Sequence, residues 1–168
     1  CTGKKTKELS KFQNLKKTYL ATIKLGYCTD SFDRETDEKN KKDYKNISSN
    51  QIREISKVFF GQQNQIPPKY SAIKINGKRA YQKARNNEMF KLDSRLVHIY
   101  SLIIKKIDLP YVEFEVICSK GTYIRSLAHD IGRYLECGAY LFNLKRLAIG
   151  THHLDSAKNL EKFKIEID

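Results

Sequence analysis

The sequence predicts an α+β fold: a mixed, mostly antiparallel sheet with a few helices packed on it. Three observations carry this. Residues 17–26 and 111–118 alternate between two faces in the manner of half-buried strands. Residues 96–107 and 140–150 are two further strand candidates, the first joined to 111–118 only through Asp108-Leu109-Pro110. Apolar residues recur at helical spacing over 52–59 and 124–135.

The elements follow in order. Thr6 to Leu15 reads as a short helix with Leu9 and Phe12 on one face. Lys17 to Gly26 reads as a strand in which Tyr19, Ala21, Ile23 and Leu25 face one way. Residues 29–47 are rich in charge and read as a solvated loop. Ser48 or Ser49 can cap a helix through Phe60, striped by Ile52, Ile55 and Phe59 and ended by Gly61. Pro67-Pro68 forces extended backbone. Tyr70 to Ile75 is a strand candidate turned by Asn76-Gly77, and Lys78 to Arg85 a short helix. In the 111–118 strand, Val112, Phe114, Val116 and Cys118 share a face. Gly121 precedes a helix marked by Ile124, Leu127, Ile131 and Leu135, and Gly138 lies beyond its end. Ala157 to Phe163 reads as a last helical turn or two.

A chain of 168 residues with 40% apolar content suits one domain with one core. Its 32 Lys and Arg against 19 Asp and Glu leave a net charge of +13. Such an excess suits a phosphate-rich partner, because basic side chains displace counterions from nucleic acid. A Lys-rich surface without a partner would give the same number. The cysteines at 1, 28, 118 and 137 form no CxxC pair and no zinc or disulfide framework, so reduced thiols are expected. Leu96 to Ile104, the longest apolar candidate, falls short of the about 20 residues a membrane helix needs. No signal peptide is evident, which points to the cytoplasm. The opening Cys1 without an initiator Met suits a fragment or a lipoprotein matured to an N-terminal Cys.

Two segments suggest chemistry from their residues alone. In Cys118-Ser119-Lys120-Gly121-Thr122-Tyr123-Ile124-Arg125, Gly121 allows a sharp turn into a helix. Tyr123 then offers a ring for a base and Arg125 a fork for a carboxylate or phosphate. Spacing alone favours a core Tyr123 and a solvated Arg125, since strand–Gly–helix turns are common. Around Pro67-Pro68 and Asn76-Gly77, Lys69, Lys74, Lys78 and Arg79 are interleaved with Tyr70 and Tyr81. That mixture suits RNA backbone contact with base stacking, or an ordinary hairpin with a solvated basic face. His152-His153 lacks a ligand set and reads as exposed loop. His129-Asp130 reads as helix surface or capping.

Taken in order, these segments resemble the TruB family of bacterial tRNA pseudouridine-55 synthases. The likeness rests on P-P-x-Y-S-A-x-K-x-x-G-x-R-A-Y at 67–81, C-S-K-G-T-Y-I-R at 118–125, and G-A-x-L at 138–141 followed by L-x-R at 144–146. Lys17-Thr18-Tyr19 resembles the family's K-x-Y strand, and Gly3, Thr6 and Lys7 its G-x-x-T-K turn. The resemblance implies a cofactor-free, metal-independent isomerase of pseudouridine synthase catalytic-domain type. It would act as a cytoplasmic monomer on a uridine in the T arm of tRNA, with no membrane role. Tyr19 matches a base-stacking residue with a part in proton transfer, Arg125 the partner of a catalytic Asp, and Tyr123 and Leu144 the uracil pocket. The nucleophilic Asp of the family lies in a G-T-L-D-P segment upstream of the G-x-x-T-K turn. The resemblance therefore implies that residues 1–168 are the C-terminal portion of a single catalytic domain, lacking the N-terminal part with that Asp. In that case the chain could alternatively be a non-catalytic RNA-binding module. Asp30, Asp33 and Asp130 do not occupy the motif position.

Overall fold

The computed structural model describes residues 3–158. The chain enters through a 3₁₀ turn, Gly3–Glu8, and helix α1, Leu9–Asn14. Strand β1, Lys17–Leu25, then runs through the middle of a six-stranded sheet of order β2-β5-β6-β1-β7-β8. Its neighbours are β6, Tyr111–Cys118, and β7, Ala139–Ile149, both antiparallel. Strand β5, Arg95–Asp108, pairs with the far side of β6, as its short connection requires. His152–His153, read as loop, instead form strand β8, a short exposed edge on β7.

The alternation legible in β1 and β6 becomes the core. Ala21, Ile23 and Leu25 are buried with Val112, Phe114, Val116 and Cys118 on one face of the sheet. Helices α2, Ser49–Val58, and α4, Ile124–Tyr134, cover that face with Ile52, Ile55, Ile124, Leu127 and Ile131. Helix α2 begins at a reciprocal cap: Ser48 Oγ accepts from Gln51 N–H, and Gln51 Oε1 accepts from Ser48 N–H at 2.8 Å. Burial pushes the Cys118 thiol up to about 11, so it stays a protonated core group.

Three expectations are revised. Residues 29–47 are a loop, but not a solvated one throughout. Thr29 and Ser31 are buried, and Leu141 N–H of β7 donates to Phe32 C=O at 2.9 Å. The strand expected over 70–75 shrinks to Lys74–Ile75 (β3), paired with Lys78–Arg79 (β4) across Asn76-Gly77 and followed by helix α3, Ala80–Arg85. An edge strand, β2 (Gly61–Gln65), was not foreseen, because its Gly-Gln-Gln-Asn-Gln sequence has no apolar alternation. The helical turn expected at 157–163 falls mostly outside the described residues, and 157–158 are not helical.

Candidate active site

The turn into α4 places the site. Gly121 takes φ +79°, a left-handed conformation that costs glycine little, and reverses the chain from β6. Tyr123 caps α4, and its N–H donates to Gln65 Oε1 of β2 at 2.8 Å. That bond gives the unforeseen strand a purpose, since it fixes the start of the helix. Arg125 follows in the first turn of α4.

The Arg125 guanidinium is held on three sides. Nη1 donates to Asp33 Oδ2 at 3.0 Å and to Ser31 C=O at 3.3 Å, and Nη2 donates to Tyr70 C=O at 2.8 Å. The pair is mostly buried, with side-chain exposures of 23% and 15%. Both oxygens of Asp33 are committed, because Oδ1 accepts from Ser31 Oγ at 2.5 Å and from Glu35 N–H at 2.9 Å. Asp33 is thus a holding group for Arg125. The loop after β1, the segment before β3 and the start of α4 are tied together through this one side chain.

An open cleft of about 850 Å³ lies against this knot. Tyr123, Arg125 and Leu144 line it, joined by Tyr70, Ser71, Tyr81, Leu141 and Phe142. Leu144 is 41% exposed, so it offers apolar surface to a guest. Ser71 Oγ is buried and has no hydrogen-bond partner among the described residues. The arrangement suits a planar, partly apolar group beside a fixed cation.

Tyr19 does not line the cleft. It pairs in register with Val116 and Arg146, two residues before Ala21, which pairs with Leu144. Burial raises its hydroxyl pKa, and the Arg146 guanidinium partly offsets this. Of the basic residues singled out between 67 and 81, Lys74, Lys78 and Arg79 stand exposed on the hairpin, though Arg79 Nη1 is spent on Ala72 C=O at 2.7 Å. Lys69 is exposed and lines a different cavity, with Tyr70 between the two. The surface role expected of His129-Asp130 is corrected. The His129 ring stacks on Phe32 at 4.0 Å and 11°, and burial lowers its pKa. Burial pushes the Asp130 carboxyl up to about 6, with Arg133 opposing.

The profile described as TruB family pseudouridylate synthase (N terminal domain) matches residues 1–124. The tRNA pseudouridine synthase B of Parabacteroides distasonis is 44% identical over 96% of this chain and 69% of its own length. That of Clostridium novyi is 43% identical over 96% of this chain and 56% of its own. The chain thus spans about half to two thirds of these relatives. Among solved structures, a Cbf5-Nop10-Gar1 complex matches with TM-score 0.63 at 25% identity, covering 89% of this chain and 35% of that one. An H/ACA RNP bound to a substrate RNA containing 2'-deoxyuridine matches with TM-score 0.59 at 22% identity, covering 89% and 33%, and shares the α+β fold.

One expectation falls here. The motif order had implied a C-terminal portion lacking the family's N-terminal part. The match to the N-terminal domain instead starts at Cys1 and takes in β1, the 29–47 loop, the 67–81 segment and β6, so most of this chain is that domain. A family profile over 124 of 168 residues, together with these relatives, establishes that the chain belongs to the TruB family of pseudouridylate synthases.

Proposed function

We propose that the protein carrying this chain is a tRNA pseudouridine synthase that isomerises a T-arm uridine, acting as a cytoplasmic monomer without a cofactor. The observation that carries the reading is the cleft where Tyr123, Arg125 and Leu144 meet, in a chain 44% identical to a tRNA pseudouridine synthase B. Chemistry on a base requires it to leave the stack, and an aromatic and apolar pocket offsets that cost. Tyr123 and Leu144 supply such walls. Arg125, held by Asp33 and two carbonyls, presents a guanidinium whose position is fixed before a nucleotide arrives.

The test is tritium release from carbon 5 of uridine in a T-arm stem-loop, using the full-length protein with EDTA present. We expect release from the target uridine alone. We also expect Arg125→Ala to lower the rate at least about a hundredfold while changing RNA affinity far less. Absence of release, or release that depends on a metal, would overturn the reading.

A further inference from the structure

We propose that Arg34 and Arg85 form a clamp for the two phosphodiesters that flank the nucleotide entering the cleft. This rests on the reading that the cleft receives a nucleotide of RNA.

Arg125 has only part of its fork left for those phosphates, because Nη1 and Nη2 already donate to Asp33, Ser31 and Tyr70. Its charge is offset by the Asp33 carboxylate at 3.0 Å. A nucleotide whose base lies in the cleft still brings a negative charge on each side. Cations are needed at the rim, on more than one wall.

Arg34 and Arg85 line the same cleft from different elements, one in the loop after β1 and the other at the end of α3. Each guanidinium lies over a ring. The Arg34 guanidinium carbon is 5.7 Å from the Phe142 ring centre, and that of Arg85 is 5.6 Å from Tyr81. A guanidinium seated on an aromatic face is restrained but keeps its edge N–H groups free, the geometry that suits bidentate phosphate contact. Both side chains are exposed, and neither makes an ion pair among the described residues. Glu35, the other carboxylate on the rim, is exposed and pairs with neither. Several lysines elsewhere are committed: Lys83 is tied to Glu88, Lys39 to Asp30 and Lys24 to Glu38. Charge at the rim therefore concentrates on two restrained, uncommitted forks.

The experiment is fluorescence anisotropy of a labelled T-arm stem-loop titrated with the full-length protein over a salt series. Arg34→Ala and Arg85→Ala should each weaken binding about tenfold at low salt and reduce the salt slope by about one phosphate contact. Lys57→Ala, on the outer face of α2, should change neither. A second arm uses RNA with a neutral methylphosphonate on either side of the target uridine. Each neutral linkage should weaken the wild type about tenfold and add nothing to the loss in one of the two Arg variants. Arg variants with wild-type affinity and slope overturn the clamp, as do losses that simply add to those of both neutral linkages. In either case wild-type RNA binding leaves the synthase reading standing. A wild-type protein that binds no RNA overturns both.

Discussion

Asp33 and Arg125 bring opposite charges into a space that is mostly closed to water, and each depends on the other for being there. Removing the carboxylate leaves a guanidinium short of its anion, which costs more than the pair contributes net. Asp33→Ala should therefore lower stability by about 2 kcal/mol in urea denaturation, while Asp33→Asn, which keeps an acceptor, should lose less. The pairing was only half legible in the sequence. The strand–Gly–helix turn put Arg125 at a cleft mouth, but its partner lies 92 residues away in a loop read as solvated. Nothing local marks such a contact, because charged loop residues usually face water. Asp130 gives a second test. Its folded pKa of about 6 lies above the unfolded value of about 3.9, so between those limits the folded state binds more protons. Stability contributed by this group is greatest below the lower limit and falls as pH rises through 6. Asp130→Asn should thus raise stability at pH 7.5 by about 1–2 kcal/mol and change it little near pH 4. A denaturation series in which the difference does not grow with pH would contradict the burial argument.

At the scale of elements, the tightest joint is between α4 and β7. A methyl group at Gly132 would fall 2.0 Å from Ala139 N and 2.4 Å from Gly138 C, all backbone that cannot swing aside. Gly138 itself turns with φ +72° under Cys28 and the carbonyl of Tyr27. Gly132→Ala should lower stability by more than about 3 kcal/mol, read as a large drop in melting temperature or a loss of soluble protein, despite the usual gain of Ala over Gly in helices. Sequence periodicity located α4, β1 and β6 well, since buried faces impose 3.6- and 2-residue repeats on apolar residues. It missed β2, where Gln62 and Asn64 face solvent and Gln65 is buried for its hydrogen bond to Tyr123 rather than for apolar area. A strand held for its polar bonds leaves no hydrophobic signature.

For the whole molecule, the excess of 13 positive charges predicts RNA affinity that falls steeply with salt. Lys74→Ala with Lys78→Ala, on the exposed hairpin, should flatten the slope by up to about two contacts without altering the melting temperature. Equal slopes for the variant and wild type would remove the hairpin from the RNA interface. The α+β class was readable because it follows from summed local periodicities. The strand order was not, because it depends on which distant strands meet.

That order has a consequence for how the chain comes into being. Among the described strands β1 comes first in the chain, yet its partners are Cys118 opposite Lys17 on one side and Ile149 on the other. During synthesis it must stay unpaired, its Ile23 and Leu25 exposed, until β6, which begins at Tyr111, has left the ribosome. Closing such long loops costs entropy before any contact repays it, so folding should be slow and concerted rather than sequential. The central strand emerges ahead of both its partners, which leaves it in need of chaperone protection while the chain is still growing.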